Sequence, residues 1–209
     1  KDIHVGEIMT RFPLDLAQSL DERLTIADEQ LRHDAVAAFG EYANAKTASE
    51  LWDIPFVDAT ELLDVDNGRI LPTSVARIQN RLRGIEKAVI PGFYGKDAQG
   101  NIRTLGRGAS DLTGAYIAAA LGADVYENFT DGPVRKADPR IVADASVIDE
   151  MTFEELRNLS YGGFSVFHHA AMIPVAQQRV PIHIRGTGDY PETGTMVVNS
   201  RISNELLRG

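Results

Sequence analysis

The residues of this chain best suited to chemistry lie between Thr104 and Asp131, in the stretch TLGRGASDLTGAYIAAALGADVYENFTD. Gly106 and Gly108 flank Arg107. Ser110 and Asp111 follow where a helix of small residues should begin, and Thr130-Asp131 close a short strand. A glycine-punctuated loop entering a helix presents unpaired backbone N–H groups, and the helix dipole adds to their attraction for an anion. The carboxyl end of the next strand offers a second polar edge, the usual ligand position in an open α/β sheet. This chemistry suits a nucleotide or an acidic metabolite. Three more polar clusters stand at expected strand ends or helix starts: Gly40-Glu41, Pro91-Gly92-Phe93-Tyr94-Gly95 and Asp138-Pro139-Arg140. Taken singly they read as an acidic helix start, a turn, and a bend in which proline fixes φ.

The elements that must position these residues follow from periodicity. Lys1 to about Phe39 reads as helical, with Leu20, Leu24, Ala27 and Leu31 at helical spacing, and Gly40-Glu41 is expected to open another helix through Trp52. Ile54–Val57 and Lys87–Ile90 read as strands. Ser74–Arg83 reads as a helix with Val75, Ile78 and Leu82 on one face, ended by Gly84. Asp97–Gly100 has the composition of a hairpin turn. Thr152 and Glu155 have capping-box spacing ahead of a helix, Ser165 to about Gln178 forms a further helix, and Ile182–Ile184 a strand. The run Ala115–Ala120 predicts close packing of a helix on a sheet. Strands alternating with helices predict a three-layer α/β/α sandwich around a mostly parallel sheet.

Composition narrows the classes. The 209 residues carry a formal net charge of −9 and no cysteine. The acidic balance disfavours a sequence-independent nucleic-acid surface and an anionic membrane surface. The missing thiols remove disulfides and cysteine nucleophiles. No run of about 18 apolar residues is present, and the opening KDIHVGEIMTRF has no apolar signal-peptide core. A cytoplasmic protein with no membrane or nucleic-acid partner is expected. His168-His169 point apart on a helix, and Asp64, Asp66 and Asn67 lack the glutamate that would complete a calcium loop, so a polar turn is favoured there. No residue is assigned as a metal ligand. Glu150, Glu154 and Glu155 read as a solvated acidic face.

In order, VIPGFYG, TLGRGASD, a strand ending in TD, ADPRIV, GGFSVFHHAA and VPIHIRGT…PETGTMV resemble the catalytic domain of aspartate kinases, within the amino-acid kinase superfamily. The likeness runs from about Phe39 to Val198, and YENFTD with GFSVFH is closest to the Gram-positive type. It implies a carbamate-kinase-like fold, with residues 1–39 as a helical lead-in, 40–198 as the catalytic domain and 199–209 as a tail where regulatory ACT modules would begin. It implies ATP and Mg²⁺ as cofactors and L-aspartate as acceptor, giving 4-phospho-L-aspartate, the first step toward lysine, threonine and methionine. Homo-oligomerisation is left open. Arg107 would clamp the substrate α-carboxylate, Glu41 would accept the α-ammonium, and Phe93 and Ser110 would line the pocket. Asp111 would organise donors around the transferred phosphoryl group. Thr130 and Asp131 would border the adenine and ribose, with Asp138 and Arg140 beside the ATP phosphates.

The departures from that pattern are specific. The family's first-strand lysine in a glycine-rich turn has no counterpart, since Lys1, Lys46, Lys87 and Lys96 stand in other contexts. Ser165 stands where many relatives have a lysine, and TDGPVRKADPR is one residue short. A chain truncated at both ends is expected, either a working phosphotransferase or a domain that binds ligand without turnover. A third reading is another superfamily member acting on glutamate, carbamate or a nucleotide.

Overall fold

A computed structural model describes residues 14–106, 108–137, 141–142, 144–161, 167, 169–188 and 194–201. The chain divides into two compact units, Lys1–Ser110 and Asp111–Gly209.

The first unit is built on two helices, α1 (Leu14–Leu24) and α2 (Glu29–Trp52). The helical lead-in expected up to Phe39 is broken earlier, at residues 25–28, and Gly40 does not begin a helix but lies inside α2. Asp28 accounts for the start: its side chain accepts a hydrogen bond from Leu31 N at 2.9 Å, as an N-cap should. A single interior glycine costs only about 1 kcal/mol relative to alanine, too little to interrupt a 24-residue helix with a packed face. The end is set by Asp53 in the left-handed region, φ 52°, and by Ile54 N donating to Ser49 O at 3.0 Å. Arg23 is buried and locks α1 to α2. It donates to Ala35 O at 2.8 Å, and its guanidinium lies 4.8 Å from the Tyr42 ring centroid.

The short α3 (Ala59–Leu62) is opened by a full capping box between Asp58 and Glu61. A hairpin of β1 (Val65–Asp66) and β2 (Arg69–Ile70) follows. Its two turn residues, Asn67 and Gly68, both have positive φ, the geometry that favours Asn-Gly in tight hairpins; the polar turn expected here is therefore present. Next come α4 (Thr73–Arg81) and a second hairpin, β3 (Tyr94–Lys96) with β4 (Ile102–Thr104), turning where Asp97–Gly100 was expected to turn. On α4, Ile78 and the following Leu82 are buried, whereas Val75, in the first turn, is 37% exposed. Ile54–Val57 and Lys87–Ile90 are not full strands. They meet at one parallel bridge, Phe56 to Val89, held by two backbone hydrogen bonds, and Pro55 and Pro91 contribute no N–H to extend it.

In the second unit, α5 (Ala109–Leu121, here from Asp111 on) leads into β5 (Tyr126–Thr130). Then come β6 (Glu150–Thr152), α6 (Phe153–Tyr161), α7 (His169–Gln177), β7 (Ile182–Gly186) and β8 (Thr195–Val198). The sheet order is β5-β7-β8-β6. The outer pairs β5–β7 and β6–β8 are parallel and the central pair β7–β8 is antiparallel, so the sheet is mixed. Ala115, Ala118, Leu156, Val175, Ile182 and Ile184 pack in one core, which agrees with the close helix–sheet packing expected of the alanine run. The Thr152–Glu155 box is formed: Thr152 N donates to Glu155 Oε2 at 2.8 Å and Glu155 N to Thr152 Oγ1 at 3.2 Å. Glu155 is thus a capping residue rather than part of a free acidic face. That backbone N–H bond, joined by the Thr152 hydroxyl and Arg201, holds its carboxyl below the usual range.

Candidate functional site

In the first unit, α2 turns a stripe of exposed and half-buried residues, His33, Ala37, Gly40, Glu41 and Asn44, toward a hollow of about 690 Å³. That volume lies within the roughly 300–1,000 Å³ typical of small-molecule sites. Glu41 Oε1 accepts a hydrogen bond from Ser110 Oγ at 2.9 Å, so residues 69 positions apart in sequence share one polar corner. Phe93 lines the same hollow. Its φ of 76° is unusual for a bulky residue and stores about 1–3 kcal/mol of strain. Its carbonyl accepts from Leu105 N at 2.9 Å, joining this turn to the residue before Gly106. Gly92 beside it lets the turn approach Ser110 closely, since a Cβ there would sit 3.0 Å from Ser110 Cα and Cβ.

A buried carboxylate fixes the hollow's far wall. Asp34, on α2, accepts from Thr104 Oγ1 at 3.0 Å and faces Arg103 Nε at 3.2 Å. Thr104 is the last residue of β4 and lines the hollow, so this pairing fixes where the glycine loop leaves the sheet. Sequence reading named Thr104 only as the start of the glycine-loop stretch, took His33 as an isolated core or surface histidine, and did not single out Asp34 or Asn44. For His33 and Asn44 the available signal was spacing on one helix, with positions 33, 37, 40, 41 and 44 sharing one face at intervals of three and four.

In the second unit Asp111 lies in the first turn of α5, where the helix dipole favours an anion. Its Oδ1 accepts from Asn128 Nδ2 at 3.0 Å. Two residues beyond Asn128, β5 ends at Thr130, whose carbonyl accepts from Thr187 N at 3.0 Å, and Asp131 follows in the open. The segment after Asp131 is tied down by Val134, whose N–H donates to the buried Thr195 Oγ1 at 2.9 Å. Tyr126, half-buried on the same strand, has its phenol pushed up to about 12, chiefly by desolvation.

Of the residues singled out from the sequence, Glu41, Phe93 and Ser110 thus meet in one hollow of the first unit. Asp111, Thr130 and Asp131 lie on neighbouring parts of the second. Arg107, Asp138 and Arg140 fall outside the described residues, as do His168 and Ser165.

Residues 3–186 match the amino acid kinase family. The chain belongs to the amino acid kinase family. Among its relatives, Aspartokinase 3 of Bacillus subtilis (strain 168) is 38% identical over 180 residues, covering 80% of this chain and 39% of that protein. The crystal structure of Clostridium acetobutylicum aspartate kinase superposes with a TM-score of 0.80 at 32% identity, covering 95% of this chain and 44% of that one. Escherichia coli aspartokinase III, solved in complex with aspartate and ADP, gives 0.77 at 26% identity, covering 96% and 48%. The chain therefore spans less than half the length of these relatives. The α/β fold expected from the sequence is the amino acid kinase fold, and two of the three pairings in the described four-stranded sheet are parallel. No described helix is long and apolar enough to cross a membrane.

Proposed function

We propose that this chain carries aspartate kinase chemistry, transferring the γ-phosphoryl group of ATP to the side-chain carboxylate of L-aspartate. The observation that carries the reading is the Glu41–Ser110 corner at the head of a hollow beside the glycine loop, in a chain whose named relatives are aspartokinases. A carboxylate acceptor has a reference pKa near 4 and is already ionised at neutral pH, so it needs no general base. What the protein must supply is alignment of two anions and stabilisation of charge on the phosphoryl oxygens.

Glu41 accepts the substrate α-ammonium, and Arg107 pairs with the α-carboxylate through its planar fork. Phe93 and Ser110 shape the pocket. The side-chain carboxylate oxygen attacks Pγ as the bond from Pγ to the β,γ-bridging oxygen breaks, and ADP leaves. Asp111 orders the groups around the moving phosphoryl. Thr130 and Asp131 border the nucleoside, with Asp138 and Arg140 near the phosphates. Among the described residues no cluster of three or more His, Asp or Glu side chains could hold a metal by themselves. Mg²⁺ on a nucleotide needs only one or two carboxylates beside the phosphate oxygens, a demand that Asp111, beside the transferred phosphoryl group, would meet. When bound, the ion neutralises phosphate charge. The reaction belongs in the cytoplasm, where ATP and free aspartate are available.

The test is direct. Purified chain incubated with ATP, Mg²⁺, L-aspartate and hydroxylamine should yield aspartyl hydroxamate above the blank, and Asp111→Ala should abolish it. A panel with glutamate, carbamate and UMP should favour aspartate. Absence of hydroxamate at high protein concentration, or preference for another acceptor, would overturn the reading.

A further inference from the structure

We infer that Asn128, working with Tyr126, is the positioning residue for Asp111, an inference that rests on the phosphotransfer reading of this site. Along β5, Tyr126, Asn128 and Thr130 project to one face, in parallel register with Ile182, Ile184 and Gly186 of β7. Ile182 and Ile184 are wholly buried on that face, and Asn128 is only 8% exposed. An amide at such a position is unfavourable unless its hydrogen-bonding groups are matched, and an aliphatic side chain would suit the neighbouring isoleucines better. Its presence there needs a specific use.

Both N–H bonds of the Asn128 amide lead to residue 111. One runs to Asp111 Oδ1 at 3.0 Å. The other runs to Tyr126 Oη at 3.3 Å, and that hydroxyl in turn donates to the Asp111 carbonyl at 3.4 Å. The first branch fixes the rotamer of the carboxylate and the second fixes the backbone that carries it. Gly114, three residues further along α5, makes the second branch possible, because a Cβ there would lie 2.6 Å from Tyr126 Oη. Three residues that look ordinary in sequence are therefore shaped around one carboxylate.

The choice of amide has a chemical consequence. A lysine or arginine at residue 128 would hold Asp111 but neutralise it. The asparagine is neutral, so Asp111 is held in one orientation with its charge intact. Among the described residues, Oδ2 is left unengaged and can meet a donor or a cation on the nucleotide phosphates. Asn128 has both donors committed within the chain and does not itself reach substrate.

Three variants and two readouts test this. Asn128→Leu keeps an apolar, similarly sized group on an apolar face, and Tyr126→Phe removes only the indirect branch. Asn128→Leu should lower kcat on the order of tenfold or more, as expected when a supporting hydrogen bond to a working group is lost. Its KM for aspartate should stay within about twofold and its melting temperature should not fall. Tyr126→Phe should give a smaller drop in kcat of the same kind. A purely structural asparagine would instead lower the melting temperature with kcat preserved below it. The second readout needs no activity: the Asp111 side-chain carboxyl carbon, observed by NMR in the full chain and assigned through Asp111→Asn, should shift in Asn128→Leu. If the chain proves inactive on aspartate, the functional reading fails while this readout still judges the geometry. Wild-type kcat in Asn128→Leu, or an unmoved Asp111 signal, overturns the inference.

Discussion

Glu41 is half-buried, and its Oε1 is engaged by the Ser110 hydroxyl at 2.9 Å. If it also accepts an α-ammonium, its charge and not merely its oxygen does the binding. Glu41→Gln keeps size and an acceptor but removes the charge. A hydrogen bond to a charged group is worth about 1.5–3 kcal/mol, roughly 10- to 100-fold in affinity, so KM for aspartate should rise by that factor with KM for ATP unchanged. Steady-state kinetics with each substrate varied in turn checks it; equal changes in both constants would remove Glu41 from the acceptor pocket. At this scale the sequence was informative where chemistry sits in a motif: Glu41, Phe93 and Ser110 stood in recognisable strings and converge on one hollow. It was silent on Asp34 and Asn128, because what distinguishes them is burial, 5% and 8% exposed. An aspartate in a helix or an asparagine in a strand reads as surface until the partner that satisfies it is known. For Asp34 that partner lies 70 positions away.

The element that organises the first unit is α2, whose buried face carries Asp34, Ala35, Ala38 and Phe39 while its other face borders the hollow. Gly40 stands on that second face, and a Cβ there would meet nothing within 4 Å among the described residues. A glycine inside a helix with space around it forgoes about 1 kcal/mol that alanine would supply. Nothing in the packing of the described residues requires it, and under the proposed function its use would be clearance for the ligand. Gly40→Ala should therefore raise stability by up to about 1 kcal/mol in urea unfolding while weakening aspartate binding severalfold. A gain in stability with unchanged KM would mean that the ligand does not approach this turn. The same residue explains why the element boundary was misjudged from sequence: glycine next to glutamate imitates a helix start, whereas the true start lay at Asp28, whose cap bond to Leu31 fixes it. The expected strands at Ile54–Val57 and Lys87–Ile90 failed for a related reason. Their apolar pattern was right and they do pair, Phe56 with Val89, but flanking prolines limit the ladder to one bridge. At Asp64, Asp66 and Asn67 only a polar turn was expected; the hairpin that the Asn67-Gly68 dipeptide favours emerged with the structure.

For the whole molecule, the division at Ser110–Asp111 separates the residues assigned to the two substrates. Glu41, Phe93 and Ser110, assigned to the acceptor, lie in the first unit. Thr130 and Asp131, assigned to the nucleotide, lie in the second. Each ligand should then leave a mark on its own unit. A ligand at about 100 times its Kd stabilises the state it binds by about 2.7 kcal/mol, and amide exchange through local opening slows accordingly. Aspartate alone should slow exchange in α2 and in the turn around Phe93, and an ATP analogue alone should slow it along β5 and in the loop after Thr130. Hydrogen–deuterium exchange with mass spectrometry resolves these segments. Both ligands are anions and the chain's formal charge is −9, so attraction must come from local dipoles and cations rather than from the overall field. Protection by either ligand should accordingly weaken as added salt shortens the screening length to about 3 Å near 1 M. Aspartate protection confined to β5, or nucleotide protection confined to α2, would reverse the assignment of substrates to units. Insensitivity to salt would show that burial rather than charge holds the ligands.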